Sequence, residues 1–310
     1  MMRKLLPCFA LAGACFAQQL ITSDIDNFWR AYDAGRPGDR AAAFQELYLD
    51  PGSPGLKDFL KLRITSAEEL AKTVDGTPKF YATIRPGTLA VATQKEAILL
   101  RLKRFKELYP EATFPDVYFV IGRLTSGGTT GDSGLLIGTE VFALADTVDS
   151  SEIRQSNPAF LKAMGNIQKL PLIVVHELVH SQQKHRGQET LLSQSLIEGA
   201  ADFVTQLVSG STINSYANEW AAARRDELFK KFAHDVAETP RRLSGWMYNY
   251  SRVQGDEPAD LGYWIGAEIC RSYYEAADKK PEALRDIVRM ETPEAIVRGS
   301  SYAWVLPAAK

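Results

Sequence analysis

The sequence predicts an α-rich α+β fold, and three observations carry that expectation. Apolar residues recur at helical spacing through both ends of the chain. A β-branched and aromatic run, Val117-Tyr-Phe-Val-Ile121, interrupts them with a strand signal. No internal repeat, low-complexity tract or long linker divides the 310 residues, so helices before and after a short sheet form one domain. Hydrophobic residues make up 45% and charged residues 24%, a balance that supports a sizeable core. The net charge of −2 lacks the basic excess of a general nucleic-acid binder and argues against that class.

The chain opens with an export signal. Arg3 and Lys4 precede an apolar stretch, Leu5 to Ala17, that is too short to span a bilayer as a mature helix. Small residues before Gln18 suit cleavage, which makes residues 1–17 a signal peptide and 18–310 the mature domain. A rival reading starts from Leu11-Ala-Gly-Ala-Cys15, which loosely resembles a bacterial lipobox, although Ala12 stands where leucine is usual. That route makes Cys15 a lipid anchor. Either route exports the protein to the periplasm or beyond. No other stretch approaches the ~20 apolar residues of a transmembrane helix. Cleavage before Gln18 leaves Cys270 alone, so no intrachain disulfide forms, and Cys270 between Ile269 and Arg271 reads as a small core residue.

The part up to about residue 110 is helical. Ile25, Phe28, Trp29 and Tyr32 share one helix face, and Arg40 to Leu49 carries Ala43, Phe44 and Leu47 at similar spacing. Pro51-Gly-Ser-Pro-Gly55 breaks the helices. Leu89 to Tyr109 reads as one long amphipathic helix with Ile98, Leu99, Leu102 and Phe105 inward; Lys95, Arg101, Lys103, Arg104 and Lys106 form its solvated face. A short sheet follows at about 115–145. Its strands are Val117–Ile121 and Leu135 through Ala143, joined by the glycine-rich loop Ser126–Gly134. That loop has no Gly-Lys-Ser/Thr, which excludes a phosphate-binding loop. It reads as a mobile hairpin connection or as the rim of a substrate cleft.

The chemistry lies at about 170–210. His176-Glu177-Leu178-Val179-His180 follows an apolar run with Pro171 in its first turn, the signature of a buried helix. Residues four apart share a helix face, so His176 and His180 can present two imidazoles to one ion. Glu177 stands on the next position round the turn, within reach of a water at that ion. Catalytic zinc takes three protein ligands and leaves a position for water, and Glu198 is a candidate third. Ser195-Leu-Ile-Glu198 has capping-box spacing, which starts a second helix there and runs it to Gly210. Asp202, one turn beyond Glu198, can accept from the outward N–H of His176. Taken singly, Glu198 suits a first-turn acid and Asp202 a salt-bridged helix residue. Taken with the upstream motif, both fit a metal site better.

This pattern resembles the gluzincin clan of zinc metallopeptidases. More narrowly, the chain resembles a bacterial family described as predicted zinc-dependent proteases and related to a gliding-motility lipoprotein family. Asn27-Phe-Trp-Arg-Ala-Tyr32, Gly134-Leu-Leu-Ile-Gly-Thr-Glu140, Glu198-Gly-Ala-Ala-Asp-Phe203 and Gly262-Tyr-Trp-Ile-Gly266 carry that likeness. It implies a zincin-like fold with a small sheet and an active-site helix. It also implies Zn2+ on His176, His180 and Glu198, Glu177 as general base, and Asp202 orienting a ligand histidine. The expected activity is that of a secreted zinc metallopeptidase acting on a peptide or protein substrate.

Tyr216 to about Val236 reads as a surface helix. Asp260 opens another that runs to about Ala277, and Gly262 and Gly266 on it predict close packing against a neighbour. Tyr263 and His185 are candidates for a second donor to a developing oxyanion. Tyr263 suits a helix-interface aromatic equally well, and His185 a solvated helix end; His234 reads as a surface residue. Two other functions fit the same residues. One is an exported or lipid-anchored binding or assembly factor whose zinc site is not peptidolytic. The other is a zinc amidase acting on cell-wall peptides.

Overall fold

The computed structural model describes residues 18–307, so the expectations for the export segment and Cys15 lie outside the described residues. Helices α1 (Ser23–Ala34), α2 (Arg40–Phe44), α3 (Pro54–Phe59), α4 (Ala67–Gly76), α5 (Pro78–Thr83), α6 (Arg85–Leu89) and α7 (Lys95–Leu108) precede most of the sheet. Short helices α8 (Ser151–Ser156) and α9 (Pro158–Ala163) follow it. Then come α10 (Leu170–Gln182), α11 (Leu191–Ser209), α12 (Ser215–Ala222), α13 (Arg225–Glu238), α14 (Leu261–Ala276), α15 (Lys280–Arg289) and α16 (Pro293–Arg298). The architecture is α-rich with one small sheet. The described residues include no helix long and apolar enough to cross a membrane.

The sheet has the order β1-β2-β4-β3. Strands β1 (Leu20–Ile21) and β2 (Val117–Val120) are parallel, as are β2 and β4 (Gly134–Gly138). Strand β3 (Gly128–Gly131) pairs antiparallel with β4 and forms an edge. β2 and β4 are buried along their whole length, which explains their unbroken apolar sequence.

Several expected boundaries change. The Ser126–Gly134 segment holds a strand, β3, because Thr129 and Thr130 pair with Leu136 and Leu135. Its glycines hid a strand behind loop composition. The strand expected to run to Ala143 ends at Gly138, and a 3-10 turn spans Thr139–Phe142. The long helix from Leu89 is broken by a 3-10 turn at Ala90–Gln94. The surface helix from Tyr216 is two helices, parted at Ala223 and Arg224. The second metal-motif helix starts at Leu191, a turn before Ser195. Thr190 caps it, its hydroxyl accepting from the Ser193 N–H at 3.1 Å while the Ser193 hydroxyl accepts from the Thr190 N–H at 2.9 Å. Gly210 ends it in the left-handed conformation, as expected.

An aromatic cluster binds the N-terminal helices. Phe28 packs on Trp29, Phe44 and Tyr48 with ring centroids 5.0, 5.2 and 5.3 Å away. Tyr48 also bonds the sheet: its hydroxyl donates to the Ile121 carbonyl at 2.7 Å and accepts from the Ile121 N–H at 3.0 Å. The Tyr81 hydroxyl donates to the Gly122 carbonyl at 2.8 Å. Glu140 completes this anchor. Its fully buried carboxyl accepts from the Gly122 N–H at 2.8 Å and the Leu124 N–H at 3.2 Å. Burial pushes its pKa up from 4.5 to about 7, against the pull of those two N–H groups.

The closest helix crossing joins α11 and α14. Gly266 lies against the Ser195 carbonyl and Gly199 against the backbone at Gly266 and Ala267, so a Cβ on either glycine would overlap main chain. The spacing of Gly262 and Gly266 foretold this contact. Gly266→Ala is therefore expected to cost about 1–3 kcal/mol or more by overpacking. Urea unfolding checks it, and wild-type stability would refute the close crossing.

The Glu140 pKa gives a pH dependence. Its folded value is raised, so the neutral acid contributes stability below about pH 4.5 that is lost as the pH climbs through about 7. The expected loss is on the order of 3 kcal/mol, at about 1.4 kcal/mol per pKa unit. Urea unfolding of wild type and Glu140→Gln across this range should give curves that converge or cross by that amount; parallel curves would contradict the buried acid.

Candidate metal centre

Helix α10 is apolar on every side, and Leu170 through Val179 are all buried. Such a helix belongs in a core, and it carries His176 and His180 inward with it. The adjacent α11 brings Glu198 to the same point. His176 Nε2 and His180 Nε2 lie 3.0 Å apart; Glu198 Oε2 is 3.1 Å from the second and 3.4 Å from the first. These separations match the edges of a tetrahedron about a zinc ion bound at about 2.0–2.1 Å. Two imidazoles and one carboxylate are also a donor set that zinc favours, so this group could hold a metal ion.

Each of the three residues has an outer partner on its other polar atom. His176 donates from Nδ1 to Asp202 Oδ1 at 2.9 Å, which leaves Nε2 to face the centre. His180 donates from Nδ1 to Gln183 Oε1 at 2.8 Å. The Gln183 amide in turn donates to the Ile197 carbonyl at 2.8 Å, tying the end of α10 to α11. Glu198 turns its other oxygen outward, where the Tyr248 hydroxyl donates at 3.1 Å.

Burial opposes charge on His176, but the hydrogen bonds to Asp202 and Glu198 outweigh it and raise its pKa. His180 follows the same pattern, with the Glu198 charge as the main opposing cause. Glu198 is driven the other way: burial would raise it, yet the two histidines hold it far below the usual carboxylate range. Glu177 differs from Glu198. Burial raises its pKa, and His180 and His176 only partly counter this. Gly128 of β3 lies directly against the Glu177 carboxyl, and any Cβ there would overlap it.

These residues line a cleft of about 600 Å³. One wall is β3 and the turn before it. Opposite stand Tyr248, Tyr250, Asp260 and Tyr263, with Phe142, Phe160 and Ile213 adding apolar surface. Tyr263 projects from the first turn of α14, its ring parallel to that of His176 at 6.3 Å. Burial, then the charges of Glu198 and Asp260, keeps its phenol protonated. His185 lies elsewhere: it lines a separate pocket with Arg186 and Glu291, which removes it as an oxyanion donor here. Its ring nitrogens are buried, so it is not a solvated end either. His234 is exposed, and Cys270 is buried with its thiol pKa raised by burial.

Sequence reasoning missed Gln183 and Tyr248. Gln183 is three residues past His180, a spacing that could have signalled an outer partner. Tyr248 sits on an irregular segment, at φ +55, with its N–H bonded to the Asp260 carboxyl at 2.5 Å. No periodic pattern marks it.

Fold and site together define an α-rich protein with a small sheet and a part-buried His-His-Glu group able to hold a metal. The chain belongs to the family described as gliding motility protein GldB, whose model matches residues 57–303. No curated protein and no solved structure matches the chain.

Outer partners of ligating imidazoles carry weight in metal affinity. Asp202→Ala is expected to weaken zinc binding about 10–100-fold, because His176 loses the acceptor that fixes its tautomer. A zinc titration against a competing chelator measures this, and unchanged affinity would reduce Asp202 to an incidental neighbour.

Proposed function

We propose that the protein is an exported, zincin-like zinc hydrolase of the gluzincin type that cleaves peptide bonds. One observation carries this reading. The buried Glu177 carboxyl stands beside the convergent His176, His180 and Glu198, at the floor of a cleft walled by an edge strand. That placement suits a general base next to a metal water site rather than a purely structural ion. When bound, zinc supplies Lewis-acid polarisation of a carbonyl and acidifies water.

The protein's own groups supply the rest. Glu177, its basicity raised by burial, takes the proton as water attacks the carbonyl carbon and passes it to the leaving amine. Tyr263 and Tyr248 retain their phenolic protons, because burial and the Glu198 charge raise both pKa values. Tyr263 can donate to the oxygen that gains negative charge, while the Tyr248 hydroxyl is engaged by Glu198. The exposed edge of β3 can pair with an extended substrate through backbone hydrogen bonds. Cleavage of cell-wall peptide amides would use the same groups.

The family supports a second reading, because its description is a gliding-motility protein. In that reading the chain is an exported, lipid-anchored assembly factor, with Cys15 as the anchor and a zinc site that is not peptidolytic. Glu177 separates the two.

Glu177→Gln is expected to keep zinc and fold while lowering hydrolysis of a peptide library at least ~100-fold. Metal content by mass spectrometry and cleavage by chromatography provide the two readouts. Hydrolysis that persists above a few per cent of wild type would overturn the assigned base. An inactive wild type whose cellular role survives the substitution would favour the assembly reading.

A further inference from the structure

The cleft is acidic around its metal group. Glu177, Glu198, Asp202 and Asp260 all line it. Against them stands one basic side chain: Arg63 is the sole Lys or Arg among the described residues that line the cleft. It comes from the end of the π-helical turn Leu60–Ile64, on the β3 side.

Three features set Arg63 apart from a surface arginine. Its Nη2 donates to the Thr129 hydroxyl at 2.9 Å, which holds the guanidinium against the edge strand. None of the ion pairs formed among the described residues includes it, whereas neighbouring Arg123 reaches Glu69 at 3.8 Å. Its Nε–H is buried without a hydrogen-bond partner. A part-buried guanidinium on a cleft wall, with no carboxylate paired to it among the described residues, is suited to an anion that enters the cleft.

Its position says which anion. Gly128 touches the Glu177 carboxyl, and Thr129, the next strand residue, holds Arg63. Side chains alternate along a strand, so Thr129 leaves the opposite face of β3 from Gly128, and Arg63 enters the cleft over that edge, one strand residue on from the contact with Glu177.

We propose that Arg63 is a specificity-determining residue that binds a carboxylate of the substrate within one or two residues of the bond to be cut. This rests on the hydrolase reading above and names its substrate class, acid-bearing peptides. The carboxylate has two sources, an Asp or Glu side chain or a free C-terminus, and both present the same two oxygens to the guanidinium fork. The same guanidinium repels a cationic side chain at that position, so Arg63 also sets selection against basic peptides.

The test measures binding apart from cleavage. Immobilised, zinc-loaded Glu177→Gln protein is exposed to three hexapeptide libraries. One carries Asp or Glu with amidated ends, one is neutral with free C-termini, and one is neutral and amidated. At least one acid-bearing library should be retained about tenfold over the neutral amidated one, and which library identifies the carboxylate's source. Arg63→Gln added to this background should abolish the preference, Arg63→Glu should invert it so that the neutral amidated library is retained best, and Arg63→Lys should retain part of it. Should the Gln variant fail to fold, the Lys and Glu variants decide. Equal retention of all three libraries, no retention at all, or a preference unmoved by the Arg63 changes overturns the proposal. Acid preference with no cleavage by wild-type protein overturns the hydrolase reading and leaves the carboxylate site standing.

Discussion

The crossing of α11 and α14 at Gly199 and Gly266 sets Tyr263 against the candidate metal group that α10 and α11 build. Glu198 and Asp202 flank that contact on α11, and Tyr263 precedes it by one turn on α14. With glycine on both sides the α11 and α14 backbones meet, while on its α10 side α11 brings its carboxylates within hydrogen-bond distance of the imidazoles. A helix separation larger by one methyl group would carry Tyr263 away from the His176 ring. The apolar character of α10 supplies the other half of the constraint, because a helix without a polar face has nowhere to place its histidines except the interior.

The two glutamates of the site show how environment divides chemical labour. Both are enclosed by protein. Glu198 lies against two imidazoles and a phenol, and its charge is held in place. Glu177 has the glycine of an edge strand on one side and the cleft on the other, and its pKa rises. Carboxyls whose environments push their pKa values apart fit the separate roles proposed for them above, Glu198 as ligand and Glu177 as proton carrier. The reciprocal bonds to Asp202 and Gln183 belong to the same scheme, since each leaves the opposite ring nitrogen facing the centre.

How much of this was legible depends on periodicity. His176, His180, Glu198 and Asp202 share helix faces, and a 3.6-residue period brings them out from the sequence. The small-residue spacing of Gly262 and Gly266 likewise foretold a close contact. Strand β3 escaped because its glycines match loop composition, although Gly128 is there for space beside Glu177 rather than for flexibility. Capping was misplaced to Ser195 because Ser-x-x-Glu fits the pattern equally well, while the chain bonds Thr190 to Ser193 one turn earlier. Tyr248 and Arg63 reach the cleft from an irregular segment and a π-helical turn, where no period links sequence to direction.

The aromatic N-terminal helices are tied to the chemistry through one short segment. Tyr48, Tyr81 and Glu140 together satisfy the backbone of Ile121, Gly122 and Leu124. That segment leads directly into Ser126 and Gly128, where β3 meets Glu177. An unsatisfied buried N–H or C=O costs about 1–3 kcal/mol, so the hydroxyls and the buried acid strongly disfavour any other path for this turn. Glu140 does so at a price in desolvation that a surface turn would not carry. The register of β3 against Leu135 and Leu136 then follows, and with it the gap that admits the Glu177 carboxyl. Arg63 is drawn into the same frame, because its own carbonyl accepts from Arg123 Nε at 3.1 Å and from the Thr125 hydroxyl at 3.2 Å. The wall that faces the metal group is therefore set by polar bonds buried behind it.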